Sequence, residues 1–506
     1  MKIDRSRVMI VVRAAIIGLF VGMVVSAFRY LVSLVLTFWK ITYLQAHQTP
    51  WLIILIIVVM LIMTGLVGWI IKPDPMVNGS GIPQVEGQLM DALEVNAWSV
   101  LWRKFTAGIL TIGSGAFLGR EGPSIQLGAA VGQLWGEKRG LSKQNQRLLI
   151  ATGAAAGLSA AFGAPVAGVL FILEEVYRNF AVATWISALT GALVADLVAS
   201  EAFGLAPVLQ LPHLRLVPLQ DYWYLVIFGL LLGIFAVLYQ RATLWSPKLY
   251  TPFSKIPRQF HFGIILLTLL VIGYFIPQTL GGGAELITGT AKITPAIMIL
   301  FGLLFLRFFG SMLAFGSGVP GGIFLPILTL GALAGALFGQ ALVGMHLMEA
   351  GLLPSLMVIG MAGYFGAISK APFTAIVLVA EMVGSLDHLV SMALVVLIAY
   401  LVVDSLGGAP IYESLLVRMQ LPAMLAKVTG HLEEHILVVA PAGQLGNQQI
   451  RAINLPNELL ITRIVRHGQT MLPKGDFVLQ VGDEIHILID SGQFGSIWAK
   501  IQDLNR

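Results

Sequence analysis

The chain contains no cysteine, which excludes disulfide bonds, thiol chemistry and metal sites with cysteine ligands. It also carries little charge, since only 11% of its 506 residues are Asp, Glu, Lys or Arg, against about 25% in an average soluble domain. With 57% hydrophobic residues and a mean hydropathy of +0.85, the composition is typical of a polytopic membrane protein. The net charge of +5 does not indicate nucleic-acid binding, because positive charge on a membrane protein sets its topology.

Apolar runs recur from near Val8 to near Val403. Several are long enough to cross a hydrocarbon core of about 30 Å, while others are short and interrupted by glycine. Interrupted helices of this kind occur in transporters, where they place the substrate site near the middle of the membrane. We therefore expect an all-α polytopic membrane protein with discontinuous or re-entrant helices. The basic residues before the first apolar run predict a cytoplasmic N-terminus.

An internal repeat is visible in the glycines and prolines. The pattern of residues 104–132 recurs 203 positions later in residues 307–335, and Glu174 matches Glu381 at an offset of 207. Lys104 and Arg307 open the two segments, so these cations are interpreted as parts of the architecture rather than as ligands.

The charges beside two matching helices indicate how the repeats are oriented. Arginines precede the helix that contains Gly18, whereas basic residues follow the helix that contains Gly229. Because basic residues stay on the cytoplasmic side, the two helices are predicted to run in opposite directions. We therefore expect two inverted repeats, at about residues 8–205 and 221–420, within a transmembrane domain of residues 1–425.

After residue 421 the composition becomes that of a small soluble domain, predicted as an α+β domain of residues 431–506. The apolar pattern predicts strands at residues 435–439, 459–465, 477–480 and 484–489, a short helix at 445–453 and a closing helix at 494–501.

The segment Gly119–Pro123 places an acid beside a base between apolar segments. A charge at the bilayer centre costs roughly 3 to 10 kcal/mol, so a charge in this position suggests function. Pro123 favours the first turn of a helix, and the N-terminus of a helix attracts anions. Glu121 is therefore a carboxylate held where an anion would bind. The alternative is an ion pair between Arg120 and Glu121 at an interface.

Over roughly residues 10–420 the chain resembles the CLC family of chloride channels and chloride/proton antiporters. The resemblance is carried by three motifs in the family's order and by one tyrosine: Gly79–Pro83, Gly119–Pro123, Gly322–Pro326 and Tyr412.

The tail is similar to the C-terminal module of potassium-transport regulators. That similarity rests on the pattern Ile464-x-Arg466-x-Gly468, and on Pro473-x-Gly475-Asp476 and Gly482-Asp483. It implies a cytoplasmic regulatory domain with a possible small-molecule or nucleotide ligand.

The family resemblance implies that four residues bind chloride. The donors are the hydroxyl groups of Ser80 and Tyr412 and the backbone N–H groups of Ile323 and Phe324. From the residues alone, Ser80 could simply cap a helix, Tyr412 could anchor the chain at the membrane interface, and the apolar pair could be packing. Hydroxyl donors suit an anion that must also leave the site.

The resemblance further implies two proton-handling acids. Glu121 would be the external gate and proton acceptor, and Glu175 the internal proton-transfer acid. From the residues alone, Glu174 and Glu175 could be a solvated helix cap, and Glu174 is interpreted as structural because it matches Glu381. Glu86 is interpreted as a packing or capping acid.

The resemblance thus implies a chloride/proton antiporter, a homodimer with one anion path in each subunit. It would lie in a lipid bilayer, the bacterial inner (plasma) membrane, with both termini cytoplasmic. The histidines have no ligand spacing, and no nucleophile has a base partner, so we expect no metal, no cofactor and no enzymatic activity. The alternatives are a passive voltage- or pH-gated chloride channel, a fluoride exporter, an intramembrane enzyme and a potassium-handling protein.

Overall fold

The computed structural model describes residues 5–212, 214–425, 432–440, 443, 445–453, 459–466, 469–471, 473, 475–490 and 494–505. The chain divides into two compact units, Met1–Leu416 and Val417–Arg506, and each is described by itself. The expected domain boundary between residues 425 and 431 lies outside the described residues, as do His213 and Gly468.

The first unit is built from helices joined by loops and 3₁₀ segments, and the last of these helices, α17, begins in this unit and ends beyond Leu416. The helices are α1 (Arg5–Ala46), α2 (Leu52–Ile71), α3 (Ile82–Leu89), α4 (Ala97–Gly113), α5 (Glu121–Lys138), α6 (Lys143–Phe162), α7 (Pro165–Phe171), α8 (Val182–Phe203), α9 (Tyr222–Trp245), α10 (Phe262–Phe275), α11 (Ala284–Lys292), α12 (Ile297–Gly316), α13 (Phe324–Gly344), α14 (Leu353–Ser369), α15 (Pro372–Val383), α16 (Leu389–Ser405) and α17 (Ile411–Leu425).

Helix lengths confirm the predicted membrane architecture. Among the described residues, eight helical segments are long and apolar enough to cross a membrane. By contrast, α3 has 8 residues and α7 has 7, too few to cross a core of about 30 Å. The protein is therefore an all-α polytopic membrane protein with discontinuous helices, as the interrupted apolar runs predict.

Glycine and proline determine where the short helices begin. Gly81 precedes α3 with a φ of 98°, a left-handed conformation that glycine adopts without strain. Pro83 then lies in the first turn of α3, where its missing N–H is not needed. Pro123 and Pro326 occupy the first turns of α5 and α13 in the same way. These helices start inside the unit rather than at its surface.

Matching helices of the two repeats pack in the same way. Gly18 of α1 lies against the backbone of Gly191 in α8, and Gly229 of α9 lies against Ile398 in α16. A Cβ atom at either glycine would come within 3.0 Å of these neighbours, so the small residue is required at both positions. The two repeats therefore use the same device to bring their first and last long helices together.

One contact between the two repeats is a pair of glycines. The N–H of Gly119 donates to the carbonyl of Gly322, and the N–H of Gly322 donates to the carbonyl of Gly119, both at 2.7 Å. This pair is antiparallel, as repeats related by a two-fold axis require. The exchange supports the inverted orientation predicted from the flanking charges.

Helices α5 and α6 approach so closely that their backbones touch. A Cβ atom on Gly128 would overlap the carbonyl oxygen of Gly153, and one on Gly153 would overlap the carbonyl of Gly128. Gly331 and Gly360 make the same contact between α13 and α14 in the second repeat. Since backbone atoms cannot move aside as a flexible side chain can, these sites accept glycine alone.

The second unit contains a four-stranded antiparallel sheet in the order β1-β4-β2-β3. Its elements are β1 (Leu432–Val438), β2 (Leu459–Arg466), β3 (Gln469–Met471), β4 (Glu484–Asp490) and the helix α18 (Phe494–Leu504). Ile464, Ile485 and Ile487 lie at the centre of its apolar core. The prediction of a small α+β domain is confirmed.

Two details of that prediction are wrong. Residues 445–453 form only a 3₁₀ turn at Ile450–Ala452 instead of a helix. Residues 477–480 contribute a single bridge, between Val478 and Gln449, instead of a strand. In both segments the apolar residues pack onto the core from irregular backbone, which a pattern of apolar residues cannot distinguish from regular structure.

An ion pair ties the end of β2 to the residue that precedes β4, next to it in the sheet. Arg466 donates from Nε and Nη2 to the two carboxylate oxygens of Asp483, each at 2.7 Å. These hydrogen bonds raise the pKa of Arg466 above its ordinary value, so its guanidinium is charged at any physiological pH. Both residues belong to the motif that carries the similarity of the tail.

We expect Gly128→Ala to destabilise the first unit by about 1 to 3 kcal/mol, because its Cβ atom would force α5 and α6 apart. The measurement is the temperature at which the detergent-solubilised protein loses its monodisperse peak in size-exclusion chromatography. Gly302→Ala in α12 is the matched control, since a Cβ atom there meets nothing within 4 Å. An unchanged midpoint for Gly128→Ala would contradict the close approach.

Candidate functional site

The starts of α3, α5 and α13 converge around Gly322. A Cβ atom on Gly322 would lie 3.3 Å from the Gly119 carbonyl oxygen, 3.3 Å from the Gly122 nitrogen and 3.5 Å from the Ser80 hydroxyl oxygen. A Cβ atom on Gly122 would overlap that hydroxyl. Since helix starts present unpaired N–H groups and a positive dipole, their convergence favours negative charge without any fully charged side chain.

Ser80 is buried beside this convergence, with 2% of its surface exposed. Its hydroxyl does not cap α3, whose N-cap is Gly81 and has no side-chain cap. The hydroxyl has no hydrogen-bond partner among the described residues. The simple capping interpretation of Ser80 is therefore wrong, and its donor is available to a ligand.

Tyr412 lies in the first turn of α17 and is fully buried, so it is not an interfacial anchor. Its hydroxyl, like that of Ser80, has no partner within the part of the chain described. The Phe171 ring contacts both the Tyr412 ring, at 5.9 Å between centroids, and the Phe324 ring, at 5.6 Å. Tyr412 therefore lies close to the start of α13.

Ile323 and Phe324 form the start of α13 and are 1% and 0% exposed. The Phe324 ring packs against Phe162 and Phe365, at centroid distances of 5.4 and 4.3 Å. The side chains thus pack in the core, while the first backbone N–H groups of the helix have no partner within the helix itself. This position can supply N–H donors to an anion.

Glu121 is the first residue of α5 and is fully buried. A Cβ atom on Gly119 would overlap its Oε2 atom and would lie 3.1 Å from the Leu325 nitrogen. The carboxylate is therefore turned toward the start of α13. Arg120 makes no hydrogen bond to this carboxylate in the described structure, so an ion pair does not account for the acid.

Lys104 is fully buried and holds the loop that leads into Ser80. Its ammonium group donates to the carbonyl oxygens of Val77, at 2.9 Å, and Gly79, at 2.8 Å. Arg307 makes the equivalent bonds to the loop before α11 in the second repeat. Both cations are parts of the architecture, as their matching positions predict.

Glu174 and Glu381 cap each other's helices. Glu174, just after α7, accepts from the N–H groups of Phe373, at 3.2 Å, and Thr374, at 2.8 Å, in the first turn of α15. Glu381, near the end of α15, accepts from the equivalent N–H groups of α7 at 3.1 and 2.8 Å. The structural interpretation of Glu174 is therefore confirmed.

Glu175 does not share the capping role of its neighbour Glu174, because the backbone changes from α-helix to π-helix here. Residues Ile172–Val176 form one turn of π-helix, closed by a bond of 2.7 Å from the Tyr177 N–H to the Ile172 carbonyl. The extra residue in the turn separates two adjacent acids, and π-turns of this kind are frequent at functional sites. Glu175 is 2% exposed, so the solvated-cap alternative is wrong for it.

Sequence reasoning missed two charged residues beside Glu175, Arg178 and Glu413, and of the two interpretations of Glu86 the capping one is wrong. Glu86 is fully buried, and its carboxylate accepts no hydrogen bond from the residues described, so it caps nothing. Arg178 places its Nη2 atom 2.7 Å from Glu413 and 3.8 Å from Glu86. In the sequence, position alone pointed to these residues: Arg178 closely follows Glu175, and Glu413 comes directly after Tyr412.

Within the ranges that the structure describes, no group of three or more His, Asp or Glu residues could hold a metal ion.

Comparisons with known proteins agree with this geometry. Residues 63–404 match the family model described as voltage gated chloride channel, and residues 435–497 match the TrkA-C domain. The H(+)/Cl(-) exchange transporter ClcA of Salmonella paratyphi B is 33% identical over 436 residues, covering 83% of this chain and 90% of that protein.

Two solved structures are similar as well. A slow cyanobacterial Cl⁻/H⁺ antiporter superposes with a TM-score of 0.76 at 29% identity, covering 83% of this chain and 98% of that one. A CLC-type fluoride/proton antiporter has a TM-score of 0.66 at 22% identity, covering 80% and 98%, and shows the shared fold alone.

We expect Glu381→Ala to cost about 0.5 to 2 kcal/mol of stability, because it leaves two N–H groups at the start of α7 without an acceptor. Thermal unfolding in detergent measures the loss. Glu349→Ala is the control, since its side chain is 80% exposed in a surface ion pair and contributes little. Equal midpoints for the two variants would contradict the capping role.

Proposed function

Because the chain belongs to the CLC family of voltage-gated chloride channels, we propose that it is a secondary active antiporter that moves chloride across the membrane in exchange for protons. The similar proteins that are named exchangers or antiporters support this proposal. The observation that carries it is the pair of buried hydroxyl groups, of Ser80 and Tyr412, that have no hydrogen-bond partner among the described residues.

We propose that these hydroxyls and the N–H groups of Ile323 and Phe324 bind chloride. Each group is a neutral donor, and the positive potential comes from the converging helix starts. A site without a full positive charge holds chloride weakly enough for turnover. Lys104 is a cation close by, but its ammonium group is committed to backbone carbonyls.

Glu121 acts as the external gate and proton acceptor in this proposal. Its carboxylate lies against the start of α13, where an anion would bind. When ionised, it competes with chloride for the same N–H donors. When protonated, it loses the charge that holds it there and leaves, so chloride entry is linked to proton uptake.

Glu175 is the internal proton-transfer acid in this proposal, and it separates the antiporter from a passive channel. A buried acid such as Glu175 has no role in a passive anion path, whereas proton pathways use such acids. Fluoride export is disfavoured because Ser80 and the intact Gly119–Pro123 segment match the chloride-transporting pattern.

We also propose the wider setting of the protein. It is a homodimer with one anion path in each subunit, in the bacterial inner membrane, with both termini cytoplasmic. The tail, from about residue 431, is a cytoplasmic regulatory domain, and its match to the TrkA-C domain supports a small-molecule or nucleotide ligand.

Reconstitution in liposomes tests the antiport. With a chloride gradient and a pH electrode outside, the wild-type protein is expected to move protons against their own gradient. Glu175→Gln is expected to keep chloride flux and stop proton flux, because the amide cannot carry the proton. Glu121→Ala is expected to uncouple the two ions as well. Chloride flux without any proton signal in wild-type vesicles would establish the channel instead.

Calorimetric titration of chloride into the detergent-solubilised protein tests the anion site. Ser80→Ala and Tyr412→Phe each remove one donor to an anion, worth about 1.5 to 3 kcal/mol, so each is expected to weaken binding about tenfold or more. Tyr43→Phe is the matched control, because that hydroxyl is also buried without a described partner but lies in α1 beside Trp39. Unchanged affinity in both site variants would refute the assignment.

A further inference from the structure

Arg178 occupies a special place just after the π-turn that carries Glu175. Its φ is +50°, in the left-handed region that non-glycine residues seldom adopt. The Nε atom of its guanidinium donates to the backbone carbonyl of Glu175 at 3.3 Å. The side chain of Arg178 is thus tied to the backbone of the residue proposed to move protons.

The guanidinium of Arg178 joins two other parts of the first unit. Its Nη2 atom lies 2.7 Å from Glu413, which follows Tyr412 in α17, and 3.8 Å from Glu86 in α3. Glu413 is 43% exposed, whereas Glu86 is fully buried. The Arg178 guanidinium therefore lies between the partly exposed carboxylate of Glu413, which adjoins Tyr412, and the buried carboxylate of Glu86, which is near Glu175.

The charges around Glu175 are unbalanced. The acids that act on it are Glu86, Glu174 and Glu413, and Arg178 is the one cation acting on it within the described part of the chain. The charge of Glu174 is already engaged by the first N–H groups of α15. Two buried carboxylates, Glu86 and Glu175, thus share a single cation whose closest contact is Glu413.

We propose that Arg178 is the positioning residue that couples the anion site to the inner acid, by dividing its charge between Glu413 and the buried pair Glu86 and Glu175. This inference rests on the proposed antiport. While Arg178 is paired with Glu413, the buried pair lacks compensation and holds a proton. When the guanidinium moves toward Glu86, the pair tolerates negative charge and the proton leaves.

The adjacency of Glu413 and Tyr412 links this movement to chloride. An anion bound at Tyr412 has the same sign of charge as the neighbouring Glu413 carboxylate, so it repels that carboxylate and weakens its hold on Arg178. Chloride occupancy and proton release from the inner acids would then favour the same position of Arg178. Only the Arg178 side chain has to rotate, since its distances to Glu413 and Glu86 differ by about 1 Å.

The test is proton and chloride flux in liposomes as a function of pH on the inner side. Arg178→Gln removes the cation, so the buried acids keep their proton to higher pH. The pH of half-maximal proton transport should rise by about one unit or more. Glu413→Gln frees Arg178 for the buried pair and should lower that pH. Arg178→Lys keeps the charge and should stay near the wild-type value.

Arg215→Gln is the matched control, because it breaks an exposed ion pair with Glu349 and should leave the pH profile unchanged. If wild-type protein carries no protons, the proposed antiport fails. If wild-type protein couples the two ions, the inference alone is overturned when the profiles of Arg178→Gln and Glu413→Gln match that of the wild type. If Arg178→Gln does not fold, the direction of the Glu413→Gln shift decides.

Discussion

The reciprocal hydrogen bonds between Gly119 and Gly322 are the contact on which the rest of the membrane unit depends. They hold the starts of α5 and α13 back to back, and no side chain could fit between the two backbones without moving them. Ser80 packs against Gly122 in the first turn of α5, because the helix starts approach each other so closely. The positions of the Glu121 carboxylate and of the helix N–H groups beside it follow from this pairing.

The proposed donors at the candidate anion site carry partial charges rather than full charges. Lys104 and Arg307, the two cations that match across the repeats, donate to backbone carbonyls and so hold loops in place. A separate group of full charges lies around Glu175 and Arg178. In the proposed antiporter, the anion and the inner acids therefore have different sets of charged neighbours.

Much of this arrangement could be predicted from the sequence, because it rests on glycine, proline and spacing. The short helices, the repeat and the structural roles of Glu174, Lys104 and Arg307 follow from a pattern that is local or recurs at a fixed offset. The role of Glu86 could not be predicted, since burial of an acid beside Arg178 and Glu413 depends on three segments that are far apart in the chain. The irregular backbone at residues 445–453 could not be predicted for a different reason, since the spacing of its apolar residues is also typical of a helix.

The mutual caps of Glu174 and Glu381 have a consequence for how the two halves of the membrane unit could have arisen. Each half supplies the carboxylate that accepts from the N–H groups at a helix start in the other half. In a half-length chain, one helix start would therefore lack its acceptor, and a second copy inserted in the opposite direction would supply it. The stable ancestor implied by this geometry is a pair of identical chains inserted in opposite directions, later joined into one.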